Sequence, residues 1–166
     1  MRRSHLTEVS APKHRHGLFV CIMKITNGTE SGNGCMLNGT CHCGEVHWTL
    51  DTLPKSVTAC NCTICRRYGA LWAYGYIGCD IQTTGKTSTY RRRDSGDICF
   101  YFCAICGCVT HYVARSEDEN GRKRAAVNVR MSDPSPIGEL PIRHFEGHDS
   151  FKERPCDGRK VKDMWF

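Results

Sequence analysis

The stretch Cys60-Asn-Cys-Thr-Ile-Cys65 carries three cysteines, and a further cysteine pair lies on either side of it in the sequence. The earlier pair is Cys41-His-Cys43, followed by Gly44, and the later pair is Cys103-Ala-Ile-Cys106, followed by Gly107. A glycine at this position suits a tight turn whose backbone amides point toward sulfur atoms. Two such turns, far apart in sequence, can give two ligands each to one tetrahedral ion. The spacing therefore predicts metal sites that cross-link the fold.

The seven clustered cysteines are more than one four-ligand site needs and one fewer than two closed sites need. A natural division is one site of four thiolates and one of three. Closed sites are structural, whereas a three-thiolate site leaves a coordination position free for a ligand or a substrate. Cys60, Cys62 and Cys65 form the densest group and are the candidates for the open site, although the spacing is also compatible with other divisions.

The cysteine count and the predicted compartment favour a metal over disulfides. The chain has 13 cysteines, an odd number that cannot all pair within one chain. No stretch approaches the roughly 20 apolar residues of a membrane span, and the apolar run at 17–23 is too short for a convincing signal peptide. We therefore expect a cytoplasmic protein, in which clustered cysteines are metal ligands or catalytic thiols. Zinc is the expected metal, and an iron–sulfur cluster, disulfides and buried free thiols are the alternatives.

The other six cysteines are expected to be unliganded, and the histidines near the clusters are expected to be surface groups or to support the ligands. The histidines are His42, His47 and His111. The cysteines are Cys21, Cys35, Cys79, Cys99, Cys108 and Cys156, of which Cys108 lies next in sequence to a predicted ligand motif.

Sixteen glycines and short apolar runs between turns indicate a mainly β fold with little helix. In the segment 45–50, Val46, Trp48 and Leu50 alternate onto one face, as in a half-buried strand. Further strands are predicted at residues 56–59, 70–77, 86–91, 98–102, 109–113, 125–129 and 142–145. The best helix candidate is one turn at 63–68, and Asp133-Pro-Ser-Pro136 is predicted to be a loop.

The chain is predicted to have three parts, of which residues 36–150 form the zinc-binding domain. Residues 1–35 are rich in histidine, basic and turn-forming residues, which predicts a flexible extension with a short strand at 18–25. A metal-binding histidine tail is the alternative there, and Met36 is a candidate alternative translation start. Residues 151–166 are predicted to be a charged tail.

The formal net charge of +6 gives weak support for a nucleic-acid partner. Half of this charge comes from residues 1–35. Seven thiolates and two zinc ions would add −3 to the remainder, which would leave the metal-loaded domain near neutral. We therefore expect neither a nucleic-acid nor a membrane partner.

Four ordered motifs resemble those of the glutathione-dependent formaldehyde-activating enzyme family, which also includes centromere protein V. They are Gly39-Thr-Cys-His-Cys-Gly44, Cys60-Asn-Cys-Thr-Ile-Cys-Arg-Arg67 with Gly69-Ala70, Phe102-Cys-Ala-Ile-Cys-Gly107, and Val127-Asn-Val-Arg130. The resemblance covers about residues 36–150. It implies a β-tent of small antiparallel sheets stapled by zinc.

The resemblance also implies roles for the cysteines and a reaction. Cys41, Cys43, Cys103 and Cys106 would hold a structural zinc, and Cys60, Cys62 and Cys65 would hold a second, catalytic zinc. The implied reaction adds the thiol of glutathione to formaldehyde and gives S-hydroxymethylglutathione, which is a carbon–sulfur lyase activity.

Arginines near the open site are candidates to bind the two carboxylates of glutathione. Arg66 and Arg67 directly follow the cysteine triad and are the first candidates, and the run 91–93 is the second. Trp72, Tyr74 and Tyr76 are predicted either to line a pocket or to pack in the core.

The alternative function is a zinc-binding module without turnover that binds a protein, a nucleic acid or a small thiol. The basic residues of the segment 1–35 and of the run 91–93 favour this alternative.

Overall fold

A computed structural model of the protein describes residues 36–93 and 96–164. The predictions made for residues 1–35, including the flexible extension, the strand at 18–25 and the histidine tail, lie outside the described residues, as do Cys21 and Cys35. Among the described residues, no helix is both long and apolar enough to cross a membrane.

The described chain is built mainly from short strands, as the sequence predicted. The strands are β1 (Leu37–Thr40), β2 (His47–Leu50), β3 (Val57–Cys60), β4 (Leu71–Tyr76), β5 (Ile81–Thr84), β6 (Thr87–Arg91), β7 (Ile98–Cys103), β8 (Val109–Ala114), β9 (Arg124–Asn128), β10 (Ile142–Glu146) and β11 (Lys152–Glu153). The helices are α1 (Cys65–Tyr68) and α2 (Pro134–Ile137), and 3₁₀ turns lie at Val129–Met131 and Val161–Met164.

The strands form two sheets. The smaller sheet has the order β1-β2-β5, and the larger has the order β11-β10-β3-β4-β9-β8-β7-β6. Neighbouring strands are antiparallel, except that β3 and β10 run parallel. This pairing sets Phe145 opposite Cys60, so that the end of β10 reaches the cysteine-rich loop that follows β3.

At β4, the larger sheet is covered on both faces. Leu71 and Ala73 pack in the main core with Trp48 of the smaller sheet. Trp72, between them, points to the opposite face and packs with Cys65 and its neighbours. Because side chains alternate along a strand, β4 packs one face against the smaller sheet and the other against the three-cysteine loop.

The prediction of a loop at residues 133–136 is wrong, because Asp133 caps helix α2 and Pro134 begins it. Pro134 occupies the first helical position, where its missing N–H costs no hydrogen bond. The Asp133 carboxylate accepts a hydrogen bond from the Ser135 amide at 2.8 Å and caps the helix. Aspartate followed by proline is typical both of a loop and of the first residues of a helix, so the sequence alone did not distinguish the two.

The described residues of the charged segment, 151–164, pack on the domain. Lys152–Glu153 forms β11 and pairs with β10. Val161 is fully buried in the main core beside Ile142 and Ile137.

Candidate metal centres

A four-thiol cluster joins two hairpin turns. Cys41 and Cys43 lie in the turn between β1 and β2, and Cys103 and Cys106 lie at the turn between β7 and β8. Their Sγ atoms all lie within 4.8 Å of one another. The Cys41–Cys43 and Cys43–Cys103 Sγ distances are 3.6 and 3.5 Å. Sulfurs about 2.3 Å from a tetrahedral ion lie about 3.8 Å apart, so the cluster has the dimensions of a four-thiolate metal site.

The two glycines lie in tight turns whose backbone amides point toward the sulfurs, as expected from the sequence. Gly44 and Gly107 adopt φ values of 80° and 75°, the left-handed region that glycine enters without steric cost. The turns aim backbone amides at the sulfurs: Val46 donates to Cys41 Sγ at 3.2 Å and Ile105 donates to Cys103 Sγ at 3.4 Å. Such donors stabilise the thiolate form that binds a metal.

A three-thiol cluster lies between β3 and β4. Cys60 ends β3, Cys62 lies in the loop, and Cys65 begins α1, with all three Sγ atoms within 4.8 Å of one another. Each sulfur accepts an N–H hydrogen bond: Cys60 from the Cys62 amide at 3.5 Å, Cys62 from the Cys65 amide at 3.4 Å, and Cys65 from Trp72 Nε1 at 3.3 Å. The cluster is therefore provided with donors for three thiolates.

Proximity couples the ionisation of the three thiols. Hydrogen bonds from the Cys60 and Cys65 thiols lower the pKa of Cys62 to about 2. Hydrogen bonding with Cys60 and Cys62 raises the pKa of Cys65, and hydrogen bonding with Cys62 raises the pKa of Cys60. Three negative charges this close repel one another. A cation among the sulfurs would relieve this repulsion, and the three thiols form a group that could hold a metal ion.

The end of β10 supports the three-thiol cluster from outside its own sequence motif. A Cβ added at Gly147 would lie 2.6 Å from Cys60 Sγ and 3.0 Å from Cys62 Cβ, so only glycine fits. Asn61 Oδ1 accepts a hydrogen bond from the Gly147 amide at 2.9 Å, and Asn61 Nδ2 donates to Glu146 Oε1 at 2.7 Å. Sequence reasoning missed Gly147 and Glu146, because no local signal links residues paired through a parallel strand contact.

A cavity of about 200 Å³ opens onto the three-thiol cluster. Its walls are mainly apolar and aromatic, and among the described residues that line it Arg92 is the one cation. Trp72 and Tyr74 line it, so that Trp72 belongs both to the core and to the pocket. Tyr76 does not line this cavity, and its ring lies under the Arg122 guanidinium at 3.9 Å.

A depression of about 410 Å³ adjoins the cavity and shares Ile64 and Arg92 with it. Arg67 and Arg93 also line the depression. Of the predicted arginines, Arg67, Arg92 and Arg93 therefore lie together near the three-thiol cluster. Arg66 and Arg91 are exposed and line neither of these two cavities.

The remaining predicted residues lie outside both thiol clusters. Cys108 packs against the four-thiol cluster without being one of its four members. His111 is buried, stacks on Tyr101 with the ring centroids 4.5 Å apart, and shares a 3.0 Å hydrogen bond with Thr110. His42 and His47 are exposed. Within the described ranges every cysteine is free of disulfide bonds.

The family model of the glutathione-dependent formaldehyde-activating enzymes matches residues 36–137, which include all seven clustered cysteines. The chain belongs to this family. It is also similar to a Rhodobacter sphaeroides protein of known crystal structure, with 27% identity, 64% of this chain and 99% of that chain covered, and a TM-score of 0.49. A comparison with curated proteins gave no match.

Membership of the glutathione-dependent formaldehyde-activating enzyme family implies chemistry related to the activation of formaldehyde with glutathione. The two cysteine clusters, within the matched region, are groups that could hold metal ions.

Proposed function

We propose that the protein is a zinc-dependent carbon–sulfur lyase that joins a glutathione-type thiol to an aldehyde. Cys41, Cys43, Cys103 and Cys106 hold a structural zinc ion in this proposal, and Cys60, Cys62 and Cys65 hold a second ion in an open site. The observation that carries the proposal is the position of the three-thiol cluster, which lines a cavity and has N–H donors to each sulfur. The four-thiol cluster holds two turns together and is the structural counterpart.

The residues around the three thiols fit such an ion. When bound there, zinc supplies a Lewis acid with a free position that favours the thiolate form of a thiol or polarises an aldehyde oxygen. Trp72 holds the Cys65 sulfur through its indole N–H, and Gly147 leaves room for Cys60. The mainly apolar and aromatic walls lower the polarity around the reacting groups, which strengthens electrostatic interactions inside the cavity.

The proposed reaction is an addition without oxidation or reduction. The thiol sulfur forms a bond to the carbonyl carbon, the S–H bond breaks, and the proton ends on the carbonyl oxygen. With glutathione and formaldehyde the product is S-hydroxymethylglutathione. The reverse reaction breaks the same C–S bond.

The arginines of the adjoining depression favour a thiol substrate that carries negative charge. Glutathione carries two carboxylates, and Arg67, Arg92 and Arg93 line the depression next to the cavity. Guanidinium groups bind carboxylates with paired hydrogen bonds. A thiol lying across both cavities would place its sulfur at the cysteines and its carboxylates at the arginines.

Exchange NMR with glutathione and formaldehyde tests the proposal. Zinc-loaded protein should form the adduct faster than the uncatalysed mixture does. Cys62→Ser should lose the acceleration while keeping the far-ultraviolet circular dichroism of the native fold. Cys156→Ser, which alters an exposed cysteine outside both clusters, is the matched control and should keep full activity.

The absence of any acceleration by zinc-loaded protein would contradict the proposed enzyme. Glutathione binding without faster adduct formation would instead assign the site to a thiol-binding module without turnover.

A further inference from the structure

The apolar wall of the cavity has no counterpart in the simplest substrates of the proposed reaction. Formaldehyde has only hydrogens on its carbonyl carbon, and the body of glutathione is polar and charged. We infer that the aldehyde partner carries an aromatic or branched apolar group, which the cavity above the three-thiol cluster encloses. This inference rests on the proposed function.

The wall is rigid and already formed. Trp72 and Tyr112 pack edge to face with their ring centroids 5.0 Å apart, and Phe100 packs against Tyr112 at 5.8 Å. Trp72, Phe100 and Tyr112 are each more than nine-tenths buried. Rings that fix one another in this way keep their shape when a ligand enters, so little free energy is spent on ordering them.

The size of the cavity suits a group such as a phenyl ring. A cavity of about 150 Å³ is large enough to hold benzene, and this cavity measures about 200 Å³. Its floor is the three-thiol cluster, so an apolar group bound there lies next to the carbon that would bond to sulfur. The charged part of the thiol has a separate place in the arginine-lined depression.

The rim of the cavity carries an unusual aromatic residue. Phe151 lines the cavity with its side chain still 65% exposed. Its φ of 54° lies in the left-handed region, which a bulky residue seldom adopts. Such backbone strain gathers at ligand-binding segments. An apolar ligand in the cavity would cover part of the Phe151 ring and gain further burial.

Calorimetric titration of the zinc-loaded protein with two stable thioethers tests the inference. S-methylglutathione mimics the formaldehyde adduct, and S-benzylglutathione mimics the adduct of an aromatic aldehyde. Enclosing the ring should make the benzyl compound bind about ten- to a hundredfold more tightly. Phe151→Ala should reduce this advantage several-fold. Leu53→Ala, at an exposed apolar residue outside the cavity lining, should leave the advantage unchanged.

Equal affinity for the two thioethers would overturn the inference, and so would a benzyl advantage that Phe151→Ala leaves intact. The NMR assay distinguishes failure of this inference from failure of the proposed enzyme activity. Accelerated formaldehyde addition with equal thioether affinities leaves the proposed function standing and removes the inference. A benzyl preference without accelerated addition of glutathione to either formaldehyde or benzaldehyde removes the proposed function and keeps the apolar ligand class.

Discussion

Gly147 lies against the three-thiol cluster and offers it no ligand. Gly147→Ala would force its new methyl group into Cys60 Sγ, 2.6 Å away. We expect zinc at this site to bind about 10- to 100-fold more weakly, a cost typical of residues that position metal ligands. Competition with a chromophoric zinc chelator measures the change. Gly138→Ala is the control, because that glycine has a helical φ, lies outside both thiol clusters, and would bring its Cβ within 3.3 Å only of the Pro134 carbonyl oxygen. Unchanged affinity would mean that Cys60 moves aside without loss of the site.

His111 gives the fold a dependence on pH that is independent of the thiols. Burial lowers the pKa of His111 to about 4, below its ordinary value of 6.5. Between these values the unfolded chain binds a proton that the folded chain refuses, so stability falls as the pH falls through this window. We expect the wild type to lose about 2 kcal/mol more than His111→Phe between pH 7 and pH 5. Urea unfolding at both pH values measures the difference, and parallel losses would contradict the prediction.

At the scale of elements, Asn128 connects three parts of the larger sheet. Its side chain accepts from the Leu71 amide of β4 at 3.2 Å and donates to the Val109 carbonyl of β8 at 2.9 Å, and it caps the 3₁₀ turn after β9. Asn128→Ala would leave two buried backbone groups unpaired, at about 1–3 kcal/mol each. A lower urea midpoint with an unchanged slope is the expected result.

The exposed Asn120 supplies the control for Asn128. Among the described residues its side chain has no hydrogen bond of this kind, and its backbone amide donates to the Asp118 carboxylate at 2.9 Å. Asn120→Ala should keep the wild-type midpoint. Similar midpoints for both variants would show that water replaces the Asn128 hydrogen bonds at no cost.

Strands rich in apolar residues were predicted from the sequence, and some strands poor in them were missed. Strands such as β4, β7 and β8 are marked by apolar or alternating residues, and the sequence located each within two residues of its observed ends. The strands β1 (Leu37–Thr40), β5 (Ile81–Thr84) and β11 (Lys152–Glu153) were missed. β1 and β5 have one apolar residue each, and β11 is two charged residues that pair with β10. Such strands depend on their neighbours, which local sequence does not report.

At the scale of the whole molecule, some residues of the site were predictable from local sequence and others were not. The cysteine clusters were predictable, because metal ligands obey short spacings. Gly147 and Phe151 were not, since they reach the cavity through the parallel pairing of β3 with β10 and the turn that follows it. Contacts between distant segments are set by the packing of the sheets, which no motif encodes.

The four-thiol cluster joins the smaller sheet to the far end of the larger one, so its loss should act on the entire domain. Cys41→Ser removes one thiol at the β1–β2 turn. Binding of a structural zinc contributes on the order of 10 kcal/mol to folding, and we expect this variant to be unfolded or to melt far below the wild type. Cys62→Ser should stay folded, because its site is supported by β10 on one side and Trp72 on the other.

Elemental analysis together with thermal melting separates the two sites. The wild type should carry two zinc ions per chain and folded Cys62→Ser one, whereas Cys156→Ser should match the wild type in both respects. A chelator added stepwise should first remove the zinc of the three-thiol site, because only three protein ligands hold it there, and should lower the melting temperature steeply only when the second ion leaves. Loss of stability with the first ion would reverse the assignment of structural and open sites, and iron in place of zinc would overturn both.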